Sequence, residues 1–155
     1  MDQHLSVLTL GVVDPARSHA FYVGGLGWTP TLYVQGEVLF LQIGSGMLLS
    51  LWSVDEMVRE AGPTAPVAGE QGRAPITLGH NVGSPGEVDE VLATAARVGG
   101  TVLVPGAQRA WGGYSGYFTD PDGYRWEIAH NPGLVVHEGG RVTIGEAGPA
   151  GAGDR

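Results

Sequence analysis

Glu127 is the side chain in this sequence whose setting invites a chemical role. It lies in Gly112-Gly113-Tyr114-Ser115-Gly116-Tyr117-Phe118-Thr119-Asp120-Pro121-Asp122-Gly123-Tyr124-Arg125-Trp126-Glu127-Ile128-Ala129-His130-Asn131, two runs rich in aromatic and β-branched residues around Asp120-Pro121-Asp122-Gly123. Pro121 presets one turn dihedral and Gly123 accepts a positive φ, so the stretch predicts a β-hairpin. Past the turn, Tyr124, Trp126 and Ile128 take one face of the strand, and Arg125, Glu127 and Ala129 take the other. A carboxylate in the middle of such a strand is either a ligand facing a cavity or a solvated charge on an outer face. The stretch alone leaves both readings open.

The other chemically able groups are scattered. His80 sits three residues past Thr77, on the opposite face of its strand, and reads as a satisfied core or interface histidine. His4 and His19 read as surface residues, His130 lies just beyond the last strand of the hairpin, and His137 belongs to the tail; no four have metal-site spacing. Ser115 fails the nucleophile-elbow pattern because position 117 is tyrosine and no helix follows. Gly24-Gly25-Leu26-Gly27 ends a helix instead of opening one, so it cradles no phosphate. The chain has no cysteine, which removes thiol nucleophiles, disulfides and thiolate metal sites.

Composition narrows the partners. With 155 residues there is room for one domain with a real core or for two small fused modules. Eight Lys and Arg against sixteen Asp and Glu leave a formal charge of -8, which works against a nucleic-acid partner and would attract a cationic small ligand. No apolar run reaches membrane-spanning length and no signal segment opens the chain, so the expectation is a soluble, cytoplasmic protein with no membrane partner.

The elements that must hold Glu127 follow from periodicity. Residues 5–12 alternate as a strand, Asp14 and Pro15 open a short helix to Val23, and Gly24-Gly25 ends it. Residues 31–34, 38–43 and 47–52 read as three more strands, and Ser53 with Glu56 forms a capping-box pattern for a helix to about Ala61. Residues 62–75 have breakers and no apolar period, and read as a linker. The pattern then restarts: strand 76–82, a helix opened by Ser84, Pro85 and Glu87 and running to Val98, strand 101–104, and the hairpin. Val12-Val13-Asp14-Pro15 aligns with Val82-Gly83-Ser84-Pro85, and Gly46 to Leu51 aligns with Gly123 to Ile128. The fold class is therefore α+β, two tandem βαβββ modules: module one over 1–61, the linker 62–75, and module two over 76–132. In the remaining 133–155, a small hairpin around Glu138-Gly139-Gly140 is expected, with the last ten or so residues disordered or tag-like.

The tandem repeat, Asp14-Pro15-Ala16-Arg17-Ser18 at the first helix, Phe21-Tyr22, Leu26-Gly27-Trp28 and the closing Asp120 to Glu127 together make the chain resemble the vicinal oxygen chelate superfamily. That superfamily includes glyoxalase I, the extradiol dioxygenases and the bleomycin-resistance type drug-binding proteins. The resemblance covers residues 5–131. It implies that each module rolls its strands into a half-barrel sheet, that paired modules enclose a cavity, and that two chains form a homodimer. In metal-dependent members the ligands come from the first and last strand of each module. Those positions here are Val7, Ser50, Thr77 and Glu127, and one carboxylate cannot replace a set of about three His, Glu or Gln ligands. The expectation is a protein with no metal and no cofactor.

What remains is a lined cavity. Val7, Thr9, Ser50, Trp52, Thr77 and Glu127 are expected on its inward face, with Phe40 or Leu41 from the preceding strand. Trp111-Gly112-Gly113-Tyr114 is expected at the mouth, although Trp111 and Tyr114 could equally pack a module or dimer interface. Glu127 is expected to bond neighbouring hydroxyls such as Ser50. Such a pocket suits sequestration of a small aromatic or hydrophobic compound without chemistry, as in the drug-resistance branch. The alternatives are a glyoxalase-like lyase or isomerase, or a dioxygenase, with a non-standard metal site or with Glu127 as general base, and a sensing module that binds no drug.

Overall fold

The structure, a computed structural model, describes residues 4–62 and 76–145. The linker expected over 62–75 falls outside the described residues from position 63 onward, and so does the terminal stretch from 146. The first half runs β1 (Val7–Val12), α1 (Pro15–His19), a π-helical turn (Ala20–Gly25), β2 (Pro30–Val34), β3 (Val38–Ile43), β4 (Met47–Ser53) and α2 (Val54–Ala61). The second runs β5 (Thr77–Asn81), α3 (Pro85–Arg97), β6 (Thr101–Gln108), β7 (Tyr114–Thr119) and β8 (Arg125–His130), followed by β9 (Leu134–Val136) and β10 (Val142–Ile144).

Each half folds its strands into a four-stranded sheet of the same topology, β1-β4-β3-β2 and β5-β8-β7-β6. In both, the first and last strands pair in parallel and the rest antiparallel. This is the α+β architecture of two βαβββ modules that the repeat predicts. The small hairpin expected after residue 133 is present as β9 and β10.

Helix starts follow their capping residues with one exception. Asp14 accepts the amide of Ala16 at 2.9 Å, and Ser84 exchanges hydrogen bonds with Glu87, whose second oxygen accepts the amide of Gly83 at 3.1 Å. Ser53 makes no side-chain capping bond; its own amide donates to the Glu37 carbonyl at 2.8 Å, and Glu56 is turned toward Arg59. The first helix also widens: Leu26 and Trp28 bond back to the carbonyls of Phe21 and Tyr22 at 2.9 Å. That π turn sets two consecutive aromatic residues, Phe21 and Tyr22, fully into the core.

The core lies on the faces of the two sheets that α1 and α3 cover. Leu10, Val12, Leu39, Leu41, Leu49 and Leu51 from the first sheet and Phe118, Trp126 and Ile128 from the second belong to one buried cluster, joined through Phe21 and Tyr22. α3 adds Val88, Leu92 and Ala95 to the same cluster. Alternation along the strands therefore turns the other set of side chains to an open face on each sheet, away from α1 and α3.

Close packing of α3 explains Gly116 on β7. A Cβ there would lie 2.5 Å from Leu92 Cδ1 and 2.9 Å from both the amide nitrogen of Gly106 and the carbonyl oxygen of Val104. Gly116→Ala is expected to cost about 1–3 kcal/mol through overpacking, read as a lower denaturation midpoint. Gly46→Ala, where nothing lies within 4 Å of the new Cβ, should stay within about 0.5 kcal/mol of the parent.

Candidate functional site

Register decides which side chains share the open faces. On the first sheet Thr9 pairs with Ser50 and Ser50 with Phe40, which itself pairs with Leu32, so one row crosses all four strands. Val7 lies beside Leu48, and Trp52 beside Gly11 and Val38, in the flanking rows. The expected set Val7, Thr9, Phe40, Ser50 and Trp52 is thus brought together, and Leu41 goes to the core. α2 rests on one end of this face: a Cβ at Gly11 would meet Met57 Sδ at 3.0 Å and Val54 Cγ2 at 3.1 Å.

Thr77 and Glu127 occupy the open face of the second sheet. There a cavity of about 420 Å³ is lined by Thr77, Leu103, Val104, Tyr117, Arg125 and Glu127. Glu127 faces Tyr117 across the hairpin, and the Tyr117 hydroxyl donates to Glu127 Oε1 at 2.6 Å. The hydroxyl expected beside Glu127 is therefore the cross-strand tyrosine, while Ser50 lies in the other sheet. Accepting that proton bond, together with burial and the nearby charge, Glu127 pushes the Tyr117 phenol above its ordinary range and keeps it protonated.

Two guanidinium groups frame this pair. Arg109 sits 5.8 Å from the centroid of the Tyr117 ring and donates through Nε to Ser115 Oγ at 3.0 Å and through Nη2 to the Ser115 carbonyl at 2.7 Å. Arg125 donates through Nε to Thr77 Oγ1 at 2.7 Å. The lining expected from the sequence includes none of Tyr117, Arg109 and Arg125, although Tyr117 ends the Trp111–Tyr117 approach that the sequence favours as functional. Tyr117 was recoverable: pairing Phe118 with Trp126 around the turn places 117 opposite 127. Arg109, outside the strands, carries no periodic signal.

Trp111 and Tyr114 go to different places. Trp111 is about half exposed on the β6–β7 connection, its ring lying where a Cβ of Gly113 would be. Tyr114 pairs with His130 on the helix side of the sheet, and its hydroxyl donates to the Asp89 carboxylate of α3 at 3.1 Å and 3.2 Å. On that same side a second cavity, of about 320 Å³, has Trp28, Phe118 and Trp126 in its walls with His80 and Glu90. Burial lowers the His80 pKa, favouring the neutral imidazole.

The four positions that the resemblance relates to metal ligands carry an alkyl group, two hydroxyls and one carboxylate, and the carboxylate is already engaged by Tyr117. Among the described residues no group of three or more His, Cys, Asp or Glu side chains could hold a metal ion. This donor chemistry does not fit a divalent cation held by the usual set. Among the described residues, too, no helix is long and apolar enough to cross a membrane.

Comparison with known proteins gives a consistent result. Residues 4–128 match the family model of the Glyoxalase/Bleomycin resistance protein/Dioxygenase superfamily. A glyoxalase-related enzyme from Fulvimarina pelagi is 34% identical, with a TM-score of 0.80 over 92% of this chain and 99% of that one. A glyoxalase/bleomycin resistance protein/dioxygenase from Nocardioides is 24% identical, with a TM-score of 0.67 over 87% of this chain and 91% of its own. Lactoylglutathione lyase from Agrobacterium tumefaciens is 21% identical, with a TM-score of 0.60 over 84% and 95%, a likeness of fold. No curated protein matches the chain.

Proposed function

The chain belongs to the glyoxalase/bleomycin resistance protein/dioxygenase superfamily, and from that premise we propose that it is a cytoplasmic, homodimeric binding protein that sequesters a small aromatic or hydrophobic compound without transforming it. The observation that carries this reading is the pair of open sheet faces. One is neutral and largely apolar, with Val7, Leu32, Phe40 and Trp52 around Thr9 and Ser50; the other holds the cavity beside Tyr117 and Glu127. Val7, Leu32, Val34 and Leu103 on or beside these faces are 39–52% exposed, which a second copy laid against them would cover. Binding then needs shape, stacking and a few hydrogen bonds, and none of the metal ligands that the donor positions lack.

A panel of flat aromatic compounds tested on purified, metal-analysed protein decides the matter. The expected result is a dimer by light scattering, no stoichiometric metal, and a melting temperature raised by at least one compound; a ligand at a hundred times its Kd stabilises by about 2.7 kcal/mol. Stoichiometric metal with turnover that depends on it, or no stabilisation by any compound, would overturn the proposal.

One contact favours a second reading. The 2.6 Å bond between Tyr117 and Glu127 fixes a carboxylate in the wall of a cavity, where a bound substrate would meet it, and the relative from Fulvimarina pelagi is called an enzyme. In that reading Glu127 takes a proton from bound substrate. Product formation by the metal-free protein, abolished in Glu127→Gln, is the outcome that would establish it in place of sequestration.

A further inference from the structure

The sign of the site runs against the sign of the molecule. The chain has twice as many acidic as basic residues, yet the open face of the second sheet carries Arg125 and Arg109 against Glu127. Its remaining strand positions, Thr77, Gly79, Asn81, Thr101, Val104, Ala107, Ser115, Tyr117, Thr119 and Ala129, are uncharged, by the pairing that puts cross-strand neighbours on one face. The open face of the first sheet has no charged strand residue either: Val7, Thr9, Gly11, Leu32, Val34, Val38, Phe40, Gln42, Leu48, Ser50 and Trp52 fill it. α2, on one end of that face, meets it at Gly11 through Val54 and Met57. Counting the strand residues and Arg109, enclosing the two faces against each other leaves one positive charge in excess.

Neither arginine meets a carboxylate among the described residues. Among the described residues the ion pairs are Arg17 with Asp122 and Arg59 with Glu56, and Arg109 and Arg125 bond only to the neutral groups of Ser115 and Thr77. Arg125 spends Nε on Thr77 and keeps both terminal nitrogens, the edge that grips a carboxylate through two parallel bonds. Arg109 keeps Nη1. A guanidinium enclosed without a counter-charge is strongly unfavourable, so a bound anion is the natural complement.

Resting on the sequestration reading above, we infer that the ligand is a monoanion, a flat apolar body bearing one carboxylate that Arg125 grips, while Arg109 adds a further hydrogen bond. The body lies against the apolar face of the first sheet. A lone cation is disfavoured there in spite of the acidic surface, because the local charge is positive.

The test uses the full chain and three probes of one shape: 2-naphthoate, its neutral amide 2-naphthamide, and the cation 2-naphthylmethylamine, each titrated at low ionic strength by tryptophan fluorescence and calorimetry. The expected result is naphthoate binding at least tenfold tighter than the amide, with the amine weakest. In Arg125→Gln the ratio of naphthoate to amide affinity should fall close to one, and in Arg109→Gln it should fall part of the way, with folding checked by melting temperature. Arg97→Gln, altering an exposed residue of α3, should keep the parent ratio. Equal binding of naphthoate and amide, or a preference that survives in Arg125→Gln and Arg109→Gln, sinks the anion inference and leaves sequestration standing. Failure of all three probes to bind sinks both.

Discussion

Asp120→Ala should lower the stability of the folded chain by about 3 kcal/mol, a fall of roughly 6–12 °C in melting temperature for a chain of this size. The Asp120 carboxylate is buried and accepts three hydrogen bonds, from the Tyr22 hydroxyl at 2.6 Å, the Tyr124 amide at 2.9 Å and the Asp122 amide at 3.0 Å. Alanine leaves the fully buried Tyr22 hydroxyl with no acceptor, and that orphaned donor is the larger part of the cost. Tyr22→Phe should cost less, about 1–2 kcal/mol, because Asp120 then keeps its two amides and the loss falls on the Trp126 indole, which donates to the same hydroxyl at 3.1 Å. A melting temperature unchanged in Asp120→Ala would show that this contact holds nothing together.

The same pair has an alkaline consequence. Burial, reinforced by the adjacent Asp120 charge, pushes the Tyr22 phenol well above its ordinary value, so the folded chain keeps a proton that the unfolded chain sheds near pH 10. The native state then binds more protons than the unfolded state, and stability falls as pH rises through that range. Below it the contribution is fully present. Tyr22→Phe removes this part of the alkaline decline, which comparison of denaturation curves on either side of pH 10 would reveal.

Trp126→Ala is the second large effect, at about 4 kcal/mol. The indole stacks on Phe118 at 6.3 Å, meets Trp28 edge to face at 5.8 Å and lies 6.2 Å from Tyr22, so truncation opens a void between the two halves of the core. It would merge with the neighbouring cavity of about 320 Å³, which limits collapse of the surroundings. Trp126→Phe should cost less than half as much, since most of the ring contact survives. A lower denaturant midpoint at constant slope is the expected reading, and a loss below about 1 kcal/mol would mean that the surroundings close over the gap.

Much of this architecture could be read before any coordinates. Strand alternation sets Val7 with Thr9 on one face and leaves Phe40 or Leu41 open, and register chooses Phe40 by pairing it with Ser50. Parity cannot say which face meets the helices until the core is known, and it cannot say that Tyr114 would turn toward Asp89 on α3. The π turn at Ala20–Gly25 is a shift of hydrogen-bond partner with no residue pattern of its own. The charge of the second sheet's open face was hidden for another reason: Arg109 comes from a connection, and Arg125 beside Glu127 reads in sequence as an ordinary neutral pair.

The least legible feature was the role of Asp120-Pro121-Asp122-Gly123. Its residues are those of a common turn, and its sequence does not disclose that both carboxylates reach the first half of the chain, Asp120 to the Tyr22 hydroxyl in the π turn and Asp122 to the opening of the first helix. Asp122, whose side chain is 3% exposed, holds the Arg17 guanidinium at 2.6 Å, the Ser18 hydroxyl at 2.9 Å and the Val13 amide at 3.3 Å. Partners more than a hundred positions apart leave no local trace.

By the alignment of the two halves, the counterpart of this turn in the first is Ile43-Gly44-Ser45-Gly46, which has no carboxylate. It lies instead against Gly139 and Gly140 of the terminal hairpin, where a Cβ on Gly140 would meet Gly44 Cα at 2.6 Å. The duplicated halves are therefore not interchangeable parts. A chain built from two first halves would leave the helix start around Arg17 and Ser18 ungripped, and one built from two second halves would set a proline in the place of Gly44, with a carboxylate on either side, where Gly140 packs closely. The repeat thus divides its labour: one turn clasps its sister half, and the other seats the β9–β10 hairpin.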